Sequence, residues 1–374
     1  MTDTSARDCL SSNPDHQLSA YNYILPESRI AQNPVTPRDR SKLMVIDGPH
    51  SLCHSHFYNL GDWLIPGDLL VFNDTKVIPA RLYGQKISGA SVEVLLIEPL
   101  IEPTESNRWL ALVRPGKRIQ PGTEILFGNS AQPLMSALVE SRDEATGGRI
   151  IRLLPKVDKT IDTLIHQIGQ MPLPPYITES TSLPEQYQTV FAQKKGAIAA
   201  PTAGLHFTRP LLDNLNAKGI QTAEITLHVG IGTFRPVEVS DIETHKMHKE
   251  RIEVSAETVE KIKQTKANGG RVITVGTTST RALEGVAAIC DELQPYSGKT
   301  DLFIYPGYQW QVIDGMITNF HLPGSSLLMM VSALIGRQRL MSIYQAAIDQ
   351  DYRFYSFGDA MLVLPEAAVK FSRE

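Results

Sequence analysis

Val272-Ile273-Thr274-Val275-Gly276-Thr277-Thr278-Ser279-Thr280-Arg281 decides the fold. A short β-branched run reads as a buried strand, a glycine ends it, and a cluster of hydroxyl side chains opens a helix that continues to about Ile289. Just upstream, Ser255 is a good N-cap for a helix through about Ala267, which Asn268-Gly269-Gly270 terminates. Helices alternating with a buried strand specify an α/β sheet. The free N–H groups at the start of the second helix would form an anion site at the open strand ends.

The block before it is richer in chemistry. Ala199 to Phe207 reads Ala-Ala-Pro-Thr-Ala-Gly-Leu-His-Phe, and Glu224 to Pro236 reads Glu-Ile-Thr-Leu-His-Val-Gly-Ile-Gly-Thr-Phe-Arg-Pro. From Thr222 to Val229 the chain alternates. Thr222, Glu224, Thr226 and His228 share one face of a half-buried strand, and Ala223, Ile225, Leu227 and Val229 share the other. Gly230 and Gly232 then allow a close backbone approach to a ligand. The plainer alternative is an edge strand with a solvated polar face and a glycine turn.

From Gly67 to about Pro155 the texture is β. Leu69–Phe72, Val92–Leu96, Trp109–Val113, Glu124–Phe127 and Arg149–Leu153 are short apolar runs separated by Pro-Gly and Gly-Gly turns, which suggests a small barrel or sandwich. Met171-Pro172-Leu173-Pro174-Pro175-Tyr176 is a stiff extended connector. The expected organisation is a polar, loosely docked tail over 1–20 and a discontinuous α/β domain over 21–76 and 160–374. Its parallel or mixed sheet is flanked by helices, and an all-β piece over 77–159 is inserted into it.

The chain has 374 residues, 42% hydrophobic and 20% charged, with a formal net charge of −4. That is ordinary for a soluble globular protein, so any nucleic-acid partner must be met by local basic clusters. Such clusters occur at Arg38, Arg40 and Lys42, at Arg114, Lys117 and Arg118, and at Lys194 and Lys195. Cys9, Cys53 and Cys290 are scattered and form no CxxC pair, which fits a reducing cytoplasm. No apolar signal-peptide core is present, and the longest apolar run, Leu327 to Ile335, is far short of the roughly 20 residues that span a bilayer. No coiled-coil heptad is evident, so a monomer is expected.

Several motifs are excluded. Gly230-x-Gly232 lacks a third glycine and the strand context of a dinucleotide fingerprint, and neither GxxxxGK[ST] nor GxSxG occurs. His245-Lys246-Met247-His248 and His54-Ser55-His56 lack supporting ligands for a metal, so none is expected. Two constellations stay open. Arg281, with Glu284 one turn on, either holds an anion or forms a helical ion pair. In Thr318-Asn319-Phe320-His321-Leu322-Pro323-Gly324-Ser325-Ser326 the serines cap the helix that follows, and Asn319 and His321 could read a base edge or a ribose.

Ordered blocks extend the reading. Leu25-Pro26 with Ile30-Ala31-Gln32, Gly67 to Leu82 (containing Asn73-Asp74-Thr75-Lys76), Ala111 to Lys117, Met171 to Ile177, Tyr187 to Phe191 and Ala199 to Phe207 lead the set. Leu227 to Phe234, Val275 to Arg281, Phe303 to Tyr308, Thr318 to Pro323 and Phe357 to Met361 complete it. In these blocks the chain closely resembles the bacterial S-adenosylmethionine:tRNA ribosyltransferase-isomerase family of queuosine biosynthesis, from about Tyr21 to Val363. It departs from the family pattern at Tyr21-Asn22-Tyr23, where Phe-Asp-Tyr is common, at Gly324, where a lysine is common, and at Ile231, where an alanine is common.

The resemblance implies an α/β domain with an inserted β-barrel. It also implies transfer and isomerisation of the ribosyl group of S-adenosylmethionine onto 7-aminomethyl-7-deazaguanine at the tRNA wobble position. Epoxyqueuosine forms, and adenine and methionine leave. S-adenosylmethionine is then a consumed substrate, and no cofactor or metal is implied. The sulfonium acidifies the ribose C5′ hydrogens, and the attacking amine must be neutral, so proton acceptors are needed. His206, Glu224, His228 and His321 are the candidates. Arg281, Thr277 and Thr278 are expected to hold the methionine carboxylate. Asn319 and Asp74 join the substrate-binding set, and Arg81, Arg114 and Lys117 are candidates for anticodon phosphates. Two rival classes are a tRNA methyltransferase, for which no Gly-rich loop follows a first strand, and a non-catalytic RNA-binding module, for which no strongly basic stripe is present.

Overall fold

The computed structural model describes residues 13–100, 107–129, 131–230 and 237–369. The chain enters through a hairpin of β1 (Lys42–Ile46) and β2 (Cys53–His56), then forms β3 (Leu69–Asn73) and the short β4 (Thr75–Val77). The strands β5 (Arg81–Lys86), β6 (Ser91–Pro99), β7 (Arg108–Arg114), β8 (Glu124–Asn129), β9 (Gln132–Arg142) and β10 (Arg149–Pro155) follow. They close into an antiparallel barrel of order β10-β7-β6-β5-β8-β9, so the β texture resolves as a barrel and not a sandwich. Its interior is filled by alternate residues such as Leu82, Val94, Leu96, Phe127, Ala137 and Ile151.

Behind the barrel come α1 (Ile161–Ile168), β11 (Lys194–Ala197), α2 (Arg209–Ala217), β12 (Gln221–Leu227), β13 (Glu250–Val254) and α3 (Ala256–Ala267). β14 (Val272–Val275), α4 (Thr277–Cys290), β15 (Tyr296–Thr300), β16 (Gly315–Asn319), α5 (Ser326–Ile335), α6 (Arg337–Asp349) and β17 (Ala360–Val363) complete the body. The helix expected from Ser255 and the one opening at Thr277 both form. Ser255 Oγ caps α3 through the Thr258 N–H at 3.1 Å.

The body is one mixed sheet of order β15-β13-β12-β3-β14-β16-β17-β1-β2. β12, β3, β14 and β16 run parallel, and β17 then reverses against β16. The unbroken apolar run of β3 follows from burial on both faces. Leu69 and Val71 pack with residues of α3 to α6, whereas Leu70 and Phe72 pack with α2 and the 3-10 turn Phe57–Asp62. The result is a three-layer α/β body.

Two expectations change. β12 is an interior strand between β3 and β13, not an edge. Its polar face is only partly solvated, since Thr226 is buried and donates from Oγ1 to Asp74 Oδ1 at 2.7 Å. Residues 13–20, expected in a loose tail, instead dock. The Leu18 N–H donates to Ser240 O at 3.0 Å, and Asp15 pairs with Arg337 at 2.6 Å.

Asn73 joins the carboxyl ends of the strands. Its Oδ1 accepts the Leu227 N–H at 3.0 Å, and its Nδ2 donates to Leu227 O at 2.9 Å and to Thr278 Oγ1 at 3.3 Å. The backbone register of β3 with β12 ends at Asn73 opposite Ile225, so the side chain extends the ladder where the backbone no longer pairs. An Asn73→Ala variant strands both buried Leu227 backbone groups. At roughly 1–3 kcal/mol per orphaned group, urea unfolding should show a loss of about 2–6 kcal/mol. A loss under about 1 kcal/mol would remove the clamp from this account.

Candidate active site at the carboxyl edge of the sheet

The carboxyl ends of β3, β12, β14 and β16 meet the amino ends of β17 and β1 at one edge. The strand direction switches between β16 and β17, and in open α/β sheets ligands bind in the crevice at such a point. A cleft opens there, lined by Thr277, Thr278, Asn319, His321, Tyr176 and Tyr355 among others. It is called the helix cleft below.

Gly276 enters α4 with φ 92° and ψ 152°, a conformation that suits glycine and turns the first N–H groups of α4 toward the cleft. Thr278 Oγ1 accepts from Asn73, which leaves its own O–H proton to donate to a ligand. Opposite, Tyr176 and Tyr355 lie 4.7 Å apart, with the Tyr176 hydroxyl 2.7 Å from Ser356 Oγ. Tyr355 holds φ at 71°, uncommon for a side chain of its size. Its carbonyl accepts from Asn319 Nδ2 at 3.2 Å. Sequence reasoning singled out neither Tyr355 nor Ser356 for a site. An unusual φ and a contact across the fold leave no local signal.

The histidines occupy three different environments. His206, in the turn Thr202–His206, is fully buried and stacks on Phe57 at 5.0 Å. Asn319 Nδ2 faces two carbonyls, so it is the amide nitrogen and must donate to His206 Nε2 at 3.1 Å. His206 Nδ1 therefore carries the proton and donates to Ser41 Oγ at 2.7 Å. Burial, reinforced by Arg38 and Arg353, holds its pKa well below the usual histidine range, so the ring is neutral. His321 lines the cleft with Nε2 2.8 Å from Thr318 Oγ1, and burial pushes its pKa down to about 3.

His228 stands elsewhere. It follows β12, is partly exposed, and lines a second cleft between the barrel and the body, together with Glu98, Lys195, Lys249, Arg251 and Lys299. Val229 lines both clefts. Thr75 Oγ1 donates to Lys194 O at 3.4 Å, so it accepts from His228 Nδ1 at 3.0 Å. The bare lone pair is then on Nε2. Burial first, then the Arg251 charge, lowers the His228 pKa below 6.5. Gly196, with φ 141°, passes so close that an added Cβ would lie 3.0 Å from the imidazole.

The other expected residues are not brought into the helix cleft. Arg281 is buried and ion-paired with Glu250, while Glu284 instead accepts the backbone N–H groups of Val312 and Ile313 at 2.9 and 3.0 Å. The alternative of a helical Arg281–Glu284 pair is therefore not formed. Glu250, which sequence reasoning missed, also accepts the Gly230 N–H at 3.1 Å and lines the second cleft. Glu224 is exposed on β12, 3.4 Å from Gln193 Nε2, and lines neither cleft. Asp74 is buried beneath Thr226, and burial raises its pKa.

Arg81 donates from Nη2 to Leu173 O at 3.3 Å and lies 3.6 Å from Glu93. Arg114 and Lys117 are exposed on and just after the far end of β7. Gly324, where a lysine is common in the resembling family, turns with φ 64° beside Leu18 and Asn22. Gly232 and Arg235 lie outside the described residues. Among the described residues no group of three or more His, Cys, Asp or Glu converges as for a metal, and no helix is long and apolar enough to cross a membrane. His245 packs its ring on Phe303 at 5.1 Å.

A curated protein of Acaryochloris marina named S-adenosylmethionine:tRNA ribosyltransferase-isomerase is 58% identical over 95% of both chains. One of the same name from Synechococcus elongatus is 59% identical over 94% of this chain and 97% of its own. A crystal structure of an S-adenosylmethionine tRNA ribosyltransferase from Thermotoga maritima superimposes with a TM-score of 0.53. It is 40% identical and covers 92% of this chain and 100% of its own. The model of the family described as queuosine biosynthesis protein matches residues 18–363, and the chain belongs to that family.

Proposed function

We propose that this chain is an S-adenosylmethionine:tRNA ribosyltransferase-isomerase. It transfers the ribosyl group of S-adenosylmethionine to the amine of 7-aminomethyl-7-deazaguanine at the tRNA wobble position and isomerises it. The products are epoxyqueuosine in tRNA, adenine and methionine. The observation that carries this reading is the pair of clefts sharing Val229, one lined by hydroxyls, Asn319, His321 and two tyrosines and the other by lysines and Arg251 together with Glu98 and Glu250. The names of its relatives support it. The α/β body over 21–76 and 160–374, with the barrel inserted over 77–159, is part of the reading, as is action as a cytoplasmic monomer.

The residues divide the work. The amino end of α4, with Thr277 and the donor hydroxyl of Thr278, receives the methionine carboxylate. Arg281 does not reach it and instead holds Glu250 against the Gly230 backbone. Tyr176 and Tyr355 form the wall for adenine. Asn319 faces the ribose from the cleft floor. The buried His206, wedged between Ser41 and Asn319, is its positioning residue. His321 presents a neutral imidazole to the same cleft.

The modified base comes in through the second cleft, unstacked from its loop and steered by Lys249, Arg251 and Lys299. Its amine then meets the sugar near Val229, where His228 Nε2 is a bare acceptor for the proton released as the C–N bond forms. Loss of the glycosidic C–N bond expels adenine, and loss of the C–S bond expels methionine. Asp74 sits below the strand ends and supports Thr226. Arg81, Arg114 and Lys117 contribute from the barrel by contacting phosphate farther along the RNA.

Adenine release in the presence of preformed 7-aminomethyl-7-deazaguanine tRNA tests the activity. S-adenosylhomocysteine as product would point instead to methyl transfer. His228→Ala should lower kcat by roughly 10²–10⁴-fold, the usual worth of a general base, whereas Glu224→Ala should stay within about threefold. The reverse result would move the base. Because His228 must be neutral and its pKa lies below 6.5, activity should be full at neutral pH and fall on acidification through a midpoint below 6.5. That acid limb should vanish from the residual rate of the alanine variant. Gly196→Ala should displace the imidazole and cost roughly 10–100-fold in kcat, with S-adenosylmethionine affinity little changed and thermal stability lowered, because φ 141° strains any side chain. An unaltered kcat would show that the ring is not held where the geometry places it.

A further inference from the structure

The second cleft does not end at its lysines. Pro99, Lys195 and Gly196, which line it, also line a recess walled by Trp109, Ile161 and Ile165. The second cleft therefore extends past its cationic stretch to Trp109, and it adjoins the helix cleft at Val229. Trp109 sits on β7 between Pro99 of β6 and Ile151 of β10, with its indole partly exposed. The charged side chains of the recess, Lys195 and Asp162, neutralise each other at 3.0 Å, so what it offers a ligand is chiefly an apolar, aromatic surface.

The occupant is indicated by what adjoins the recess. An aromatic platform at the end of a lysine- and arginine-lined groove is how proteins hold unpaired nucleotides, the cations following the backbone and the ring stacking on a base. Lys249, Arg251 and Lys299 line the same cleft as His228, and that cleft shares Pro99, Lys195 and Gly196 with the recess. A strand threaded through that groove brings a neighbouring base of the same loop to the indole. We propose that the recess at Trp109 is a stacking subsite for an unpaired nucleotide flanking the modified one in the tRNA loop. This rests on the functional reading above and adds a specificity determinant to it. The enzyme then recognises the splayed loop as well as the modified base.

Steady-state adenine release, with tRNA varied at saturating S-adenosylmethionine, tests this. Trp109→Ala should raise the KM for tRNA roughly 5- to 100-fold. Its kcat and its KM for S-adenosylmethionine should stay within about twofold of wild type. Trp109→Phe, which keeps a stacking ring, should recover most of the loss and guards against a folding defect. A second readout does not depend on turnover. In a Trp63→Phe, Trp310→Phe background, the remaining Trp109 fluorescence should be quenched by an unmodified anticodon stem-loop RNA and not by a blunt duplex of equal length.

An unchanged tRNA KM in Trp109→Ala overturns the proposal. So does quenching by adenosine alone at concentrations equal to the RNA, which would make the recess a free small-molecule site. If wild type releases no adenine, the functional reading falls, and the fluorescence titration still decides whether RNA stacks on Trp109.

Discussion

The site depends on the side chain of Asn73, which takes over where the sheet stops pairing. β3 and β12 run parallel up to Asn73 and Ile225, and then the chains must diverge to open a crevice. Divergence would strand the Leu227 N–H and C=O in a buried position, a penalty that native structures avoid. Asn73 satisfies both with one amide, and the same amide reaches Thr278 at the start of α4. The opening between strands and the amino end of α4 are therefore held by one group. Moving either would break bonds to the other.

Above this clamp, the helix cleft is lined, among the described residues, by no Asp, Glu, Lys or Arg side chain. His206 and His321 are both held neutral by burial. Arg281 and Glu250 neutralise each other within the body. A substrate bearing a sulfonium, an ammonium and a carboxylate then meets a pocket of aligned dipoles (amide, hydroxyl, imidazole and helix N–H) with no fixed charge of its own. Such a pocket can respond to charge that develops during reaction, since dipoles already oriented need no reorganisation. Fixed positive charge sits instead in the neighbouring cleft, where a polyanion has to be drawn in and aligned.

Much of this was legible in the sequence wherever the signal was local. The β14–α4 junction, the α3 cap at Ser255, the Ser325 cap of α5 and the change to barrel texture all rest on neighbouring residues and a simple period. Thr277, Thr278, Asn319 and His321 were picked out from such local turns, and the fold brings them to one cleft. What stayed hidden rests on distant pairs. Asn73 meets Leu227 154 residues away, and Arg281 finds Glu250 rather than the Glu284 one turn on. Glu224 and His228 share a face of one strand by period, yet only His228 lies far enough along the chain to reach a cleft. Strand alternation assigns a face and says nothing of depth along it.

The barrel is connected in a way that bears on catalysis. It leaves the body through β4 and returns toward it through β11, and these two strands pair with each other as a separate ribbon. Thr75 of β4 orients His228 through Nδ1, and Gly196 of β11 packs against the same ring. The imidazole is thus held by the ribbon that carries the barrel as much as by the sheet from which it projects. Any shift of barrel against body must pass through Thr75 and Gly196, and so must alter where Nε2 points. RNA drawn into the cleft contacts both sides of that joint, since Glu98 of the barrel and Lys299 of the body face each other across it at 3.5 Å. If the proposed roles hold, binding of the polyanion and placement of His228 Nε2 are coupled through these two residues.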